Sequence, residues 1–435
     1  MNFKLKPLVA SLAILVSGSA MAAGLNYGRP EAAPQSSTAS KLEQMLNRNQ
    51  NDRFGQSDWY RRITVSGEIN VDVTTSNDTP TDTDRFSSKN SQDISLADAN
   101  LYLQAEINDW VKANVDLIYN DGDQETRGAS NRGVHQLNNH IHRGNDGVEV
   151  DEAYLTFANF NQYPWYVRAG REYVRHGDYD RHPITQSFVQ QLTQMRADAI
   201  ELGYVDQIGM NGVSATAFIS RGLQELTDSG RRRTQLVSGG AQLGWMWDNG
   251  DYGFGLDGSW ISNMANVDYI ARGLTNYARS VDAFAGAVTG HYRLANGDLN
   301  AKVAYVTALN EFRRTDVASE GGNGSAEPSA VDVEVGYDFL MPMPMMNTGK
   351  MYKSRFSVGY QHSDEASRIG FGTNTTRVGD GLPEDRWQAD FAMMNVLKNV
   401  DLGLQVVYDD DYSRADGGTG GSSTTGIFRV SGRFA

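Results

Sequence analysis

The chain has no cysteine among its 435 residues, which excludes a disulfide scaffold, a thiol nucleophile and any thiolate-ligated metal. It also lacks a long apolar run: beyond residue 22, nothing approaches the ~18 uninterrupted apolar residues of a membrane-crossing helix. Positive charge is in deficit, with 39 Lys and Arg against 53 Asp and Glu and a formal charge of -14. A surface of that sign repels phosphate backbones, so nucleic acid is not an expected partner. Nor is there a Gly-x-Ser-x-Gly elbow, and only His291 and His362 lie in or beside predicted strands, neither in a recognisable motif. The sequence therefore offers no catalytic residues and no cofactor site. A hydrophobic content of 40% is low for a helical membrane protein but suits a sheet with one face in lipid.

Residues 1–22 read as a cleaved secretory signal. Lys4 and Lys6 form the basic start, Leu8 to Val16 the apolar stretch, and Ala20-Met21-Ala22 the small-residue cleavage site. Removing the two lysines takes the formal charge from -14 to about -16. Residues 23–60 read as a periplasmic leader, rich in Pro, Ser and Ala from Gly24 to Thr38. Within it, 41–56 has the makings of a short helix, with Ser40 as N-cap, Glu43 at the capping-box position and Leu42, Met45 and Leu46 on one side. Such a helix would be marginal alone. It would pair as a coiled coil, sit in the barrel mouth, or remain a partly ordered leader.

From residue 61 to 435 the chain alternates. Ile63, Val65, Gly67, Ile69, Val71 and Val73 interleave with Thr64, Ser66, Glu68, Asn70 and Asp72. Successive strand side chains point to opposite faces, so one face is apolar and the other wet. Seven hairpins follow the same scheme through tight turns such as Asp109-Trp110, Asp248-Asn249-Gly250 and Ala295-Asn296-Gly297. With the lone first and last strands the count is about sixteen, an even number. The fold class is all-β: a transmembrane antiparallel barrel, with lipid outside, short periplasmic turns, long extracellular loops and both termini in the periplasm. Aromatics near strand ends (Trp110, Tyr119, Trp165, Tyr166, Trp245, Trp247, Tyr408) read as interface girdles. The last strand alternates Phe428, Val430, Gly432 and Phe434 with Arg429, Ser431 and Arg433. An amphipathic terminal strand with an aromatic end is the kind of signal the barrel-assembly machinery reads, although Ala435 follows the aromatic here.

Glu68, Asp72, Glu106, Lys112, Asp116, Arg168, Asp401 and Asp409 fall on the wet face. A charge at the lipid midplane costs ~2–4 kcal/mol, so these groups are expected to line a water-filled lumen and set its selectivity. The third extracellular loop is the candidate constriction. It reads Arg175-His176-Gly177-Asp178-Tyr179-Asp180-Arg181-His182-Pro183 and continues semi-apolar through Phe188 and Leu192. With Arg168 and Arg171 on the strand before it, this loop offers Arg175, His176, Asp178, Arg181 and His182 for ion pairing and stacking with an anionic or catecholate-like solute. An ordinary surface loop has the same composition. Charge reversal at Arg175 and Arg181 is expected to shift selectivity toward cations. His135, His140 and His142 crowd the preceding loop without a third ligand at fixed spacing, so no metal site is assigned.

Asp151-Glu152-Ala153-Tyr154-Leu155-Thr156-Phe157, then Tyr163-Pro164-Trp165-Tyr166-Val167-Arg168-Ala169-Gly170-Arg171-Glu172-Tyr173-Val174, and Gly177-Asp178-Tyr179 with Pro183-Ile184-Thr185, resemble the LbtU-type siderophore porins. The specific words lie within about residues 150–205, and Arg175-His176 stands where that family's pattern has Pro-Phe. The resemblance implies a Gram-negative outer-membrane barrel that passes iron–siderophore complexes. Only about forty residues separate the signal from the first strand, too few for the plug domain of a TonB-dependent receptor. Passive, TonB-independent passage of small solutes is thus the leading expectation. A general or anion-selective (phosphate-type) porin, favoured by Arg231-Arg232-Arg233 and the loop arginines, and a non-conducting adhesion or structural barrel stand beside it. Outer-membrane lipid is an expected partner; trimer and monomer are both open.

Overall fold

The computed structural model describes residues 63–77, 90–120, 147–160, 162–178, 182–222, 227–228, 231–232, 238–273, 280–313, 325–342, 351–368, 382–416, 418 and 420–434. The signal, the leader helix, His135, His140, His142, Arg181 and Arg233 lie outside them.

Sixteen strands form one ring: β1 (Ile63–Asn77), β2 (Asn90–Asn108), β3 (Val111–Asn120), β4 (Gly147–Ala158), β5 (Trp165–Tyr173), β6 (Arg196–Ile208), β7 (Asn211–Gly222) and β8 (Ser238–Asp248) make the first half. The second is β9 (Tyr252–Ile261), β10 (Ala283–Leu294), β11 (Gly297–Ala308), β12 (Ser329–Pro342), β13 (Met351–Asp364), β14 (Asp385–Leu397), β15 (Val400–Asp410) and β16 (Ser422–Phe434). Each strand pairs antiparallel with its sequence neighbours, and β16 closes on β1 from Gly67↔Phe434 to Asn77↔Thr424. Closure satisfies every strand edge, the condition for a sheet to reside in hydrocarbon. The short turns use left-handed backbone where expected, at Gly209 (φ 63), Gly250 (φ 89) and Asn399 (φ 62).

The two faces separate by parity. Val65, Ile69 and Val73 on β1, Ile200 and Leu202 on β6, and Leu404 and Val406 on β15 stand exposed on the outside. An apolar band running around a closed barrel matches a hydrocarbon solvent, not water. Beside the short turns it ends in aromatic pairs: Trp110 with Tyr163 (6.0 Å), Trp165 with Tyr204 (4.8 Å) and Trp245 with Phe254 (5.7 Å). Among the expected girdle residues Tyr166 departs. Trp165 points out, so Tyr166 points in; it is 1% exposed and donates its hydroxyl to Glu201 at 2.7 Å. No helix among the described residues is long and apolar enough to cross a membrane.

One side of the interior is packed. The chain after β5 turns inward and forms α1 (Phe188–Gln191), capped by Ser187, whose hydroxyl accepts from Gln190 N at 3.0 Å. The connection after β9 also folds in, through a 3-10 turn at Met264–Asn266 and α2 (Asp268–Gly273). Phe188, Val189, Leu192 and Met195 meet Met264, Val267 and Ile270 in one dry cluster. The walls make room with small residues on their inner faces, notably Ala283, Ala285 and Ala287 of β10 and Ala304 and Ala308 of β11. Burying each large side chain there contributes roughly 1.5–3 kcal/mol.

Candidate functional site

Loop 174–195 is bound to the inner wall by both of its described stretches, 174–178 and 182–195. Gly177 N donates to Ser259 Oγ of β9 at 2.9 Å, and Gln242 of β8 donates to Gly177 O at 3.3 Å. Lys302 of β11 donates to Asp178 O at 2.9 Å and lies 3.6 Å from its carboxylate. His182 N donates to Glu334 of β12 at 3.0 Å, and its ring Nδ1 meets the same carboxylate. Thr185 N reaches Gln405 of β15 at 3.0 Å, and Phe188 N reaches Gln361 of β13 at 2.9 Å. Glycine makes the approach possible: a Cβ on Gly336 would stand 3.0 Å from the His182 ring, and one on Gly403 3.1 Å from Ile184 Cδ1. The loop therefore runs inside the barrel past β8, β9 and β11 to β15, narrowing the lumen.

The loop's root is a buried charge cluster. Arg168 lies 2.7 Å from Glu172 and 3.7 Å from Glu201, with its guanidinium 4.2 Å over the Tyr154 ring. Arg175 sits 3.6 Å from Glu201 and 5.7 Å over the Tyr166 ring. Arg196 pairs with Asp151 at 2.5 Å, and Tyr173 donates its hydroxyl to the same carboxylate at 3.2 Å. Of the sequence-predicted constriction residues, Arg168, Arg175, His176, Asp178 and His182 thus come together inside. Arg171 does not. It shares parity with Val167 on the lipid side, and its half-exposed guanidinium pairs with Asp198 at 3.1 Å on the outer rim.

The lumen candidates share the inner face of the wall. Asp72 holds Arg429 through two bonds of 2.7 Å, and Lys112 lies 2.8 Å from Glu106. Glu68 accepts from Asn70 at 3.1 Å, while Asp116 is buried opposite Glu152. Asp409 binds Arg386 at 2.6 and 3.0 Å, and Asp401 pairs with Arg433.

His176 is fully buried, its Nδ1 3.0 Å from Ser259 Oγ. Burial pushes the imidazole down from 6.5 to about 3, so the seated ring is neutral. A displaced ring titrates normally and gains a proton that the seated ring cannot hold. Acid therefore favours displacement by about 1.4 kcal/mol per pH unit between roughly pH 6.5 and 3, and nothing is lost above that window. Channel recordings at about pH 4.5 are expected to show more loop noise than at about pH 7.5, with the difference reduced in His176→Asn. Equal noise at both values would contradict this seat.

Several residues that seat the loop and its root had no sequence signal. Glu172, Glu201, Lys302, Glu334, Gln361 and Gln405 are scattered over β5, β6, β11, β12, β13 and β15, and only closure brings them to one loop. The Ala283-x-Ala285-x-Ala287 alternation was a usable clue, since small apolar residues on a wet face mark a packed interior. On the outer rim His362, Glu384 and Asp385 gather three donors within 4.8 Å, where His362 Nδ1 already contacts Asp385 at 2.8 Å.

No family model matches the chain. A UPF0422 protein of Coxiella burnetii is 29% identical over 341 residues, covering 76% of this chain and 62% of the relative. A UPF0422 protein of Legionella pneumophila strain Lens is 22% identical over 334 residues, 74% of this chain and 55% of that protein. The chain thus spans less than two thirds of the length of these relatives. Among solved structures, OprB of Pseudomonas putida superposes with a TM-score of 0.54 at 10% identity, over 93% of this chain and 100% of its own. The anion-selective porin of Comamonas acidovorans gives 0.51 at 12%, over 86% and 99%. The fold is that of the outer-membrane porins: a closed, sixteen-stranded antiparallel barrel.

Proposed function

We propose that this protein is a passive diffusion channel of the Gram-negative outer membrane, admitting small solutes without TonB coupling. The observation that carries the reading is the loop bound across the inside of a closed barrel, from Gly177 on Ser259 to Thr185 on Gln405. A barrel serving only as a scaffold has no need of a charged, hydrogen-bonded constriction in its lumen. The outward apolar band supports outer-membrane lipid as its surroundings, and export by residues 1–22 and insertion by the barrel-assembly machinery through β16 complete the proposal.

The resemblance over residues 150–205 extends the reading to iron–siderophore complexes. Anion selectivity, a property in the name of the Comamonas neighbour, is the competing specificity. Trimeric and monomeric barrels are both compatible with this wall. Purified protein in liposomes is expected to admit small sugars at rates falling with solute size, and to admit the siderophore complexes it serves faster than size-matched sugars. Liposomes that stay impermeable to all of them would leave the non-conducting barrel as the better reading.

A further inference from the structure

We infer that the outer rim of the barrel carries a divalent metal site, formed by His362 near the end of β13 with Glu384 and Asp385 at the start of β14. One donor atom of each residue lies within 4.8 Å of one from each of the others. The site stands outside the lumen, so it does not depend on the diffusion-channel reading.

Strand parity and register place it. His362 shares the outer face of β13 with Val358 and Tyr360, and Asp385 shares that of β14 with Trp387. Cross-strand pairing aligns Tyr360, Trp387 and Tyr408 in one row, with the first two rings 4.6 Å apart. An outward row of aromatics at the long-loop end of the barrel marks the edge of the apolar band. The next outward row toward the loops is His362, Asp385 and Asp410. It therefore lies just beyond the hydrocarbon, where an ion reaches it from the aqueous side.

The donors are held in place. Ser363 donates its N–H to Glu384 O at 2.8 Å and its hydroxyl to Pro383 O at 2.7 Å, which ties the backbone before β14 to β13. Asp385 Oδ1 accepts from the Tyr360 hydroxyl at 2.5 Å and lies 2.8 Å from His362 Nδ1. Tyr360 thus orients a ligating carboxylate from outside the donor set, as outer partners do in metal sites. The His362 and Asp385 side chains are 28% and 32% exposed, which leaves room for an ion to enter. Arg386, next in the chain, is turned to the lumen and held by Asp409 at 2.6 Å, so its guanidinium does not fill the site.

The donor set names the class of ion. Calcium and magnesium favour shells built of oxygen alone, whereas an imidazole beside carboxylates suits zinc and neighbouring transition metals. Zinc bonds of about 2.0–2.2 Å bring tetrahedral donors to about 3.4 Å from one another, a closure that rotation of the Glu384 side chain supplies. With a neutral imidazole, the two carboxylates match the charge of a divalent cation.

The test is titration calorimetry of zinc chloride into the purified full-length protein in detergent, stripped with chelator and kept in excess magnesium. The parent is expected to bind one more equivalent of zinc than either His362→Asn or Asp385→Asn. Zinc taken up by the other histidines is common to all three proteins, so the difference isolates this site. Zinc is also expected to raise the temperature at which the parent barrel loses its folded gel mobility, and not that of the variants. Folded variants that bind as many equivalents as the parent overturn the inference. So does a parent that binds no zinc, or one from which magnesium excludes it.

Discussion

Leu192→Asp is expected to raise single-channel conductance roughly twofold or more and to make the open channel noisy, because loop 174–195 can no longer stay docked. Leu192 is fully buried in the cluster that joins α1 to α2 and the alanine-lined wall. The substitution removes roughly 1.5–3 kcal/mol of apolar burial and places a carboxylate where no hydrogen-bonding water reaches. The polar anchors cannot hold the loop alone. Lys302 on Asp178 and His182 on Glu334 still tether the loop's middle, but the bonds of Thr185 and Phe188 beside α1 contribute only about 0.5–1.5 kcal/mol each, and water replaces them once this end lifts. The barrel should survive, since its ladders do not depend on the loop. Leu192→Met keeps volume and polarity and should conduct like the parent. Unchanged conductance in Leu192→Asp, in a barrel that still shifts on heating, would show that this loop does not limit the pore.

The contrast between wall and loop explains how much of this protein could be read in advance. Strand parity is local, so Ile63 to Val73 announce their faces without knowledge of any partner. Glu68, Asp72, Glu106, Lys112 and Asp116 take the inner face on that ground alone. Parity also carried the answer for Tyr166 and Arg171, which were misplaced by residue type: an aromatic near a strand end and an arginine near a loop. Bulges escape such reading, because nothing in the sequence marks Asp151 as the extra residue that enters β4 between Val150 and Glu152. The loop's seat is less legible still. It depends on contacts with sequence separations of 83 for His176 to Ser259 and 220 for Thr185 to Gln405, which only ring closure creates.

The same seat changes what reversing Arg175 should do. Read from sequence, that arginine lines the pore and its reversal adjusts ion selectivity. In the structure it is buried at the loop's root, 3.6 Å from Glu201, with Tyr166 donating to that same carboxylate. Arg175→Glu sets two carboxylates at this distance, a repulsion of about 4 kcal/mol at an effective dielectric of about 20. Arg168, 3.7 Å from Glu201, is already engaged by Glu172 and cannot neutralise a third acid. A loss of about 3–5 kcal/mol is therefore expected, the usual cost of breaking a buried pair, and it should dominate any change in selectivity. Urea unfolding from lipid vesicles measures it directly. Arg175→Met, which removes the charge but keeps the stem over Tyr166, should lose less, and Glu201→Gln in the Arg175→Glu background should recover much of the deficit. If Arg175→Glu unfolds at the parent's urea concentration while shifting the reversal potential, Arg175 faces the water-filled pore after all and the buried root is wrong.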